Sequence, residues 1–246
     1  NWAAFSLLKG QAIERVTPAL LEGVAQFLGR LKAAGNNNRE AEALPIASEA
    51  CFSLEALEAV LTGRLNRLET MRGRGPVQDE AYRWCSKWLK HDHQRLAQRL
   101  KTSKREEAFG AGVARQERVL SPSDVGIHNM LQMDGGLGFM DFEYAGWDDP
   151  AKFTADWILQ PDNPLGLQQA LQLEAAVARQ IGEGSWQERL TIVLEINRLK
   201  WCAIMLNMFL RGHGESAQDA LSRRLKRTQA YFQESMELVS GFREAY

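Results

Sequence analysis

Three oxygen-bearing side chains between residues 120 and 144 have the types and spacing of a magnesium–phosphate site. Asp124 lies in a polar loop, Asn129 follows five residues later, and Asp141 stands at the end of a short apolar segment. An aspartate can orient a hydroxyl nucleophile, while an amide and a second carboxylate provide the hard oxygen ligands that Mg²⁺ prefers. Because Mg²⁺ keeps most of its waters and bridges substrate phosphates, two protein ligands suffice. The spacing therefore predicts a site where a cation and phosphate groups meet.

A short strand and a β-hairpin are predicted to position these side chains. Residues 118–120 have the composition of a strand and lead into the polar loop 121–129. Two apolar segments, 130–133 and 137–140, flank Asp134-Gly-Gly136, which is a strong hairpin signal. Asp141 then emerges where the second hairpin strand ends. The loop and the hairpin would thus bring the three side chains to one edge of a small sheet.

Helical periodicity dominates the rest of the chain. Thr17-Pro18 provides a capping hydroxyl and a proline at the first helical position, and apolar residues then recur at helical spacing. Residues 101–117 are predicted to be a solvated link between a helix and the first strand. The fold class predicted is α+β and mainly α, a helical body with a small β insertion that carries the polar loop. Helices are expected at about 18–35, 53–68, 76–100, 150–161, 165–181, 185–211 and 215–243.

Composition and charge exclude several classes of function. The chain has 246 residues and a formal net charge of −1, which argues against nucleic acid as a partner because nucleic-acid binders carry a basic surface. Its three cysteines are far apart and have no metal-type spacing, which favours a reduced, cytoplasmic setting. No apolar run approaches the roughly 18 residues of a membrane helix, so no membrane contact is expected.

Three segments together resemble a known enzyme family. Asp124-Val-Gly-Ile-His-Asn129, Phe139-Met-Asp-Phe-Glu-Tyr144 and Asp148-Asp-Pro150 with Asp156 are similar to the aminoglycoside phosphotransferase and choline kinase superfamily, whose members have a protein-kinase-like fold. Residues 1–13 look like the hinge that follows that family's N-terminal nucleotide lobe, which is missing here, and residues 14–246 look like its helical C-terminal lobe. We therefore expect the chain to be a fragment of a longer, full-length protein, with a lone C-terminal lobe as the alternative. The resemblance implies a kinase-like C-terminal lobe whose β-hairpin insertion carries the catalytic loop.

The resemblance also implies a reaction and a role for each site residue. Asp124 falls on the catalytic carboxylate that accepts a hydrogen bond from the substrate hydroxyl, and Asn129 and Asp141 fall on the Mg²⁺ ligands. The implied activity is an ATP- and Mg²⁺-dependent transfer of phosphate to a hydroxyl of a sugar, amino sugar or amino alcohol. ATP or another nucleoside triphosphate would be the donor, and the residues that bind it are not identified. Asp149 and Asp156 fall on bracing positions, and Asp149 is predicted to cap a helix.

The segment after Asp141 suggests how an acceptor would be bound. Glu143 and Tyr144 complete an Asp-Phe-Glu-Tyr sequence similar to the choline and ethanolamine kinase branch. We predict that Glu143, Tyr144 and Trp147 contact the acceptor. Tyr144, Trp147 and Trp157 could form an aromatic wall that attracts a cationic amine by about 0.5–2 kcal/mol. For Trp157, which lies on a predicted helix, a core position is the favoured alternative.

Two departures from the family pattern motivate a rival hypothesis. Pro122 stands two residues before Asp124, where the family usually has a histidine that holds the loop backbone. Ahead of the hinge-like segment there is no glycine-rich strand pair and no lysine candidate for the α- and β-phosphates. We therefore expect the 246-residue chain alone to bind nucleotide weakly and to show negligible turnover. The alternatives are a catalytically impaired pseudokinase, a small-molecule-binding module of the same fold, or a helical scaffold in which the loop is only structural.

The apolar helix expected at 185–211 contains polar side chains that need partners. Glu195, Asn197, Arg198 and Asn207 lie within its most apolar part. A buried polar group left unpaired costs about 1–3 kcal/mol. We predict that these side chains brace the interior by bonding to neighbouring helices, with support of a substrate pocket as the alternative.

Overall fold

The computed structural model is a helical body with a small antiparallel β component, which confirms the predicted fold class. It describes residues 9–102, 109–110, 112–211 and 218–245. Residues 1–8 of the predicted hinge, most of the central part of the predicted 101–117 link and the first residues of the last predicted helix lie outside the described residues. The strands are β1 (Gln11–Ala12), β2 (Val119–Ser121), β3 (Met130–Met133), β4 (Gly136–Phe139) and β5 (Gly146–Asp148), and the helices are α1 (Pro18–Asn37), α2 (Leu54–Leu68), α3 (Pro76–Trp84), α4 (Lys90–Thr102), α5 (Pro150–Ile158), α6 (Leu167–Ile181), α7 (Ser185–Met205) and α8 (Gln218–Glu244).

The helix starts follow from local capping chemistry. Thr17 Oγ1 accepts a hydrogen bond from Leu20 N at 3.2 Å, and Ser53 Oγ accepts one from Ala56 N at 3.2 Å. Such caps satisfy backbone N–H groups that have no partner within the helix, and each contributes about 0.5–2 kcal/mol. Prolines occupy the first position of α1, α3 and α5. Where capping residues precede apolar spacing, the predicted helices therefore form close to the expected boundaries.

Helix α7 is the central element of the body, and it packs against α2, α5 and α8. Its polar side chains brace the interior as predicted: Asn197 Nδ2 donates to Asp156 Oδ1 at 3.0 Å, Arg198 pairs with Asp92, and Glu195 pairs with Arg99 and Arg243. Asn207 lies beyond α7, in the 3₁₀ turn that follows it, where it is half-buried. Among the helices formed by the described residues, none is both long and apolar enough to cross a membrane.

Two small antiparallel sheets frame the polar loop. The hairpin β3–β4 forms as predicted, with Met130 opposite Phe139, and β1 pairs with β3 on its other edge. In the second sheet β2 pairs with β5. Strand β5 was not among the strands predicted from the sequence. Gly146 of β5 lies so close to the neighbouring chain that a Cβ there would be 2.3 Å from Pro45 O. The loop 121–129 thus runs from the end of β2 directly to the start of β3.

A chain of buried charges joins β5, α5 and α7 behind this loop. Lys152 Nζ lies 3.1 Å from Asp148 Oδ2 and 3.0 Å from Asp156 Oδ2, and Lys200 Nζ lies 3.2 Å from Asp156 Oδ1. Burial opposes ionisation of Asp156, but the two lysines outweigh it and lower its pKa. Burial raises the pKa of Asp148, which has Lys152 as its near cation. Ion pairs between buried side chains therefore connect β5, α5 and α7.

The three cysteines are buried, and we expect their thiols to react slowly in the native protein. Burial raises the pKa of Cys51 from 9.0 to about 11 and that of Cys85 to about 12, and it also raises the pKa of Cys202. Because the thiolate is the nucleophile, a raised pKa lowers its fraction at pH 8, and reaction with a disulfide reagent should be at least about 100-fold slower than in urea. Absorbance on addition of the reagent, before and after unfolding, measures this. Rapid reaction of one cysteine per native chain would contradict this expectation.

Candidate active site

The loop that carries Asp124 begins with a constrained turn. Ser123 has a φ of 70°, a left-handed conformation that a serine rarely adopts and that costs about 1–3 kcal/mol. Two hydrogen bonds hold it there: its Oγ donates to Ser48 O at 2.6 Å, and its N–H donates to Ser121 Oγ at 3.0 Å. Pro122, which precedes it, is buried. The turn therefore fixes the direction in which the chain delivers Asp124, without a histidine at position 122.

Asn129 folds back onto the backbone of Asp124. Its Nδ2 donates to Asp124 O at 3.1 Å, and its backbone N–H donates to Gly126 O at 3.1 Å. With Nδ2 committed to that carbonyl, the amide oxygen Oδ1 is the atom available to a cation. The short 3₁₀ turn Ile127–Asn129 thus connects the predicted catalytic aspartate to the first predicted metal ligand.

Asp141 is joined to the same loop through the hairpin. Met140 N donates to Asn129 O at 2.9 Å, which continues the β3–β4 pairing by one residue and places Asp141 directly after it. Asp141 has a φ of 61°, a second left-handed conformation at a non-glycine residue. Its side chain is exposed, and that of Asp124 is 41% exposed. Hydrogen bonds therefore connect Asn129 to the backbone of Asp124 and to Met140, the residue before Asp141.

Glu143 and Tyr144 lie on the same surface as the two aspartates. The pKa of Tyr144 is raised by hydrogen bonding with Glu143 and by its charge, and to a smaller extent by the charges of Asp141 and Asp124. Coulombic effects weaken with distance, so these shifts agree with a location of Tyr144 near the two aspartates. Phe142, which is 46% exposed, contacts the ring of Phe27 edge-on with a centroid separation of 6.4 Å. The predicted acceptor-binding pair Glu143 and Tyr144 is thus beside the predicted catalytic group.

Trp147 is not part of this surface, so the predicted aromatic wall does not form. The indole of Trp147 is only 2% exposed and donates from Nε1 to Ala41 O at 2.8 Å, while the guanidinium of Arg115 lies 3.7 Å from its ring centroid. Trp157 is also 2% exposed, in agreement with the favoured core position. The cause is strand alternation: β5 pairs with β2, which turns Trp147 towards α1 rather than towards Tyr144.

Sequence reasoning missed one residue that supports the loop. Gln160 is 4% exposed, and its Nε2 donates to Val125 O at 3.2 Å, 35 residues away along the chain. A Cβ added to Gly126 would lie 3.0 Å from the same amide nitrogen and 2.6 Å from His128 Cε1, so a larger residue there would displace these side chains. His128 Nε2 lies 3.5 Å from Asp124 Oδ1. No sequence pattern indicates that Gln160 supports the loop, because its partner is a backbone carbonyl of a distant segment.

The two bracing aspartates are buried behind the loop. Asp149 Oδ1 accepts a hydrogen bond from Ala151 N at 3.1 Å, which confirms it as the cap of α5. Its carboxylate also binds Arg189 through two nitrogens, Nε at 2.8 Å and Nη2 at 3.1 Å. Asp156 binds Lys152, Lys200 and Asn197 as described above. Both side chains therefore have structural partners that hold α5 in place.

The open surface suits a cation that is shared with a phosphate group. Within the described ranges, no cluster of three or more histidine, cysteine, aspartate or glutamate side chains could hold a metal by itself. Asn129 and Asp141 provide one amide oxygen and one carboxylate. Mg²⁺ is commonly bound by one or two carboxylates together with phosphate oxygens and waters, so this sparse oxygen set fits it. Structural zinc sites, by contrast, use four cysteine or histidine ligands.

A helical lobe whose hairpin presents an acid–amide–acid loop is the architecture of protein-kinase-like phosphotransferases. Comparison with family models agrees, since the model described as the phosphotransferase enzyme family matches residues 1–152. The chain belongs to this phosphotransferase family. A search of the curated proteins gives no significant match.

Solved structures confirm the kinase-like fold that the motifs implied. An aminoglycoside phosphotransferase from Alicyclobacillus acidocaldarius superposes with a TM-score of 0.53 and 17% identity, covering 95% of this chain and 70% of that one. A spectinomycin phosphotransferase in complex with ADP and spectinomycin gives 0.57 and 9%, covering 95% and 69%. A choline kinase from Cryptosporidium parvum gives 0.50 and 14%, covering 95% and 70%. At these identities the likeness concerns the fold alone.

Proposed function

We propose that this protein transfers the γ-phosphate of ATP to a hydroxyl group of a small molecule in a Mg²⁺-dependent reaction. The observation that supports the proposal most directly is the pair of hydrogen bonds from Asn129 Nδ2 to Asp124 O and from Met140 N to Asn129 O, which connect the backbone segments that carry the acid, the amide and the second acid. The acceptor would be a sugar, an amino sugar or an amino alcohol. Membership of a phosphotransferase family supports the reaction class.

Asp124 would act mainly by positioning. Phosphoryl transfer passes through a loose transition state in which little proton removal is needed, so the carboxylate has to hold the acceptor hydroxyl in line with the phosphate. Its backbone is restrained on both sides, by the Ser123 turn and by the Asn129 amide. Asn129 Oδ1 and the Asp141 carboxylate would hold Mg²⁺, which, when bound, neutralises charge on the β- and γ-phosphates.

The replacement of the family's usual histidine by Pro122 does not leave the loop unsupported. Ser123 Oγ bonds to Ser48 O, and Gln160 Nε2 bonds to Val125 O, so two side chains hold the backbone on either side of Asp124. A degraded site would be expected to lose such restraints together with its ligands. This bracing favours an active phosphotransferase over a pseudokinase.

Glu143 and Tyr144 support an acceptor that carries a positive charge. Their side chains are exposed beside Asp124 and Asp141, and Tyr144 offers an aromatic face to a cation. Cation–π attraction at such a site contributes about 0.5–1 kcal/mol, and the Glu143 carboxylate adds a Coulombic term. Amino alcohols and amino sugars have both a cationic nitrogen and an acceptor hydroxyl. The choline kinase among the structural relatives is named for an amino alcohol of this kind.

The proposal is tested by measuring ATP consumption by the full-length protein with amino alcohols, sugars and aminoglycosides over a range of Mg²⁺ concentrations. We expect one acceptor class to stimulate consumption and EDTA to abolish it. Asp141→Asn should raise the half-saturating Mg²⁺ concentration by about 10–100-fold, since it removes a charged ligand.

The matched control for this experiment is Asp162→Asn, which makes the same change at an exposed carboxylate paired with Arg227. It should leave the Mg²⁺ dependence unchanged. Equal Mg²⁺ dependence in the Asp141→Asn variant and the parent protein would favour the scaffold hypothesis, in which the loop is only a structural turn.

A further inference from the structure

A pocket separate from the candidate active site lies between α8 and the chain that leads from α5 to the start of α6. Its volume is about 420 Å³, and none of its described lining residues belongs to the loop 121–129 or to the β3–β4 hairpin. Pockets of about 300–1,000 Å³ commonly hold small ligands. The protein therefore has ligand-sized space at a place that the proposed phosphotransfer does not use.

The pocket exists because α8 and the connecting chain touch at two separate points. At one of them, the Tyr231 hydroxyl donates to Leu159 O at 2.8 Å. At the other, a Cβ added to Gly241 would lie 3.0 Å from Leu167 Cδ2, so the two elements are close there as well. Ten residues of helix separate Tyr231 from Gly241, which corresponds to about 15 Å. The pocket is the space that remains between these two contacts.

The interior of the pocket is apolar and lacks positive charge. Leu165, Leu167 and Leu238 line it, and the two hydroxyl groups of the lining donate their protons within the protein, since Ser235 Oγ bonds to Phe232 O at 3.3 Å and Tyr231 to Leu159 O. Its described lining residues include no lysine, arginine or histidine. This lining favours hydrocarbon and does not suit an anion.

Two glutamates without partners stand at the rim of the pocket. Glu234 and Glu237 are exposed, and among the residues that the structure describes neither has an ion-pair or hydrogen-bond partner. Because they are three residues apart on α8, their side chains are neighbours and their like charges repel. Arg227, one heptad before Glu234, is already bound to Pro161 O at 3.1 Å and to Asp162 Oδ1 at 2.5 Å. The rim therefore attracts a cation.

We propose that this pocket binds a small organic ammonium ion with an apolar substituent. The hydrocarbon would cover the leucines of the lining, and removal of apolar surface from water favours such binding. The positive nitrogen would lie at the rim near Glu234 and Glu237, where it also relieves the repulsion between the two carboxylates. A neutral molecule of the same shape lacks this attraction, and an inorganic cation lacks the apolar surface. Binding here is independent of the proposed phosphotransfer, because it needs neither nucleotide nor Mg²⁺.

The test is calorimetric titration of the full-length protein with 2-phenylethylammonium chloride at constant ionic strength, without ATP or Mg²⁺. We expect saturable binding. 2-Phenylethanol, which has the same ring and no charge, and ethylammonium, which has the charge and no ring, should each bind more weakly. The double variant Glu234→Gln, Glu237→Gln should weaken 2-phenylethylammonium binding by roughly 3–30-fold, since each exposed carboxylate contributes a small attraction.

Two control variants separate this pocket from other sources of attraction, and all the substituted side chains are exposed, so the variants should fold. The double variant Glu183→Gln, Glu188→Gln makes the same charge change around the start of α7, outside the pocket, and should leave the affinity unchanged. Glu143→Gln removes the carboxylate of the proposed acceptor surface and should also leave it unchanged. Absence of saturable binding would overturn the proposal. So would equal weakening by either control, and so would 2-phenylethanol binding as tightly as 2-phenylethylammonium.

Discussion

Asp124→Asn is expected to lower kcat/KM for phosphoryl transfer by about 10²–10⁴-fold. Asparagine has nearly the same shape, so the loop should keep its hydrogen bonds, which involve the backbone carbonyl of Asp124 rather than its carboxylate. What is lost is the charged acceptor that holds the substrate hydroxyl. Initial rates of ATP consumption by the full-length protein, with the acceptor found by screening, measure the effect.

Asp134→Asn is the matched control for this substitution. Asp134 is exposed at the turn of the β3–β4 hairpin, so the same change of charge occurs near the site but outside the hydrogen-bonded loop. Its kcat/KM should stay close to that of the parent protein. If Asp124→Asn retained parental turnover with an unchanged thermal midpoint, the role proposed for Asp124 would be wrong.

Arg189→Met is expected to lower the free energy of unfolding by about 3–5 kcal/mol, because it removes one partner of a buried ion pair. The Arg189 side chain is 1% exposed and binds both oxygens of Asp149, which is fully buried at the start of α5. Burial raises the pKa of Asp149, and the arginine opposes that rise. Without the arginine, the carboxylate would have to take up a proton or stay charged without its partner. Urea unfolding followed by circular dichroism measures the loss.

Arg179→Met is the comparison that isolates burial. Arg179 and Glu22 form an ion pair at 2.7 Å, with side chains 60% and 36% exposed, between α6 and α1. Exposed pairs of this kind contribute about 0–1 kcal/mol, so this variant should unfold close to the parental urea midpoint. Equal losses in the two variants would show that the buried pair has no special role. The double variant Arg189→Met, Asp149→Asn should recover part of the loss, since it removes the unpaired charge.

The main features of the fold were predictable because they depend on local patterns. Thr17-Pro18 and Ser53 mark helix starts through bonds to backbone groups three residues away, and apolar spacing decides which face is buried. The Asp134-Gly-Gly136 turn sets the hairpin register, and that register alone places Asp141 one residue beyond the pairing with Asn129. The acid–amide–acid arrangement was therefore recognisable in the sequence, where its members lie within 18 positions.

The wrong prediction and the contacts that were not predicted concern segments that meet only in the folded chain. Trp147 was predicted to contact an acceptor because it follows Tyr144 closely, but pairing of β5 with β2 directs it into the interior. Ser48, which accepts a hydrogen bond from the Ser123 hydroxyl, lies 75 residues before it, and Gln160 lies 35 residues after the carbonyl that it binds. Neither contact has a periodicity or a motif that sequence could reveal. Each is one side chain meeting one backbone group.

The sequence by itself determined the reaction class, because a phosphoryl-transfer site is built from a few residue types at short separations that the chain must keep together. The tertiary structure decided which side chains brace the loop, which aromatic groups remain exposed near Asp124, and where Glu234 and Glu237 lie relative to Leu165 in the segment before α6. These depend on how the helices and their connecting segments pack, and packing is set by the fit of many side chains at once. Local spacing carries no information on that fit.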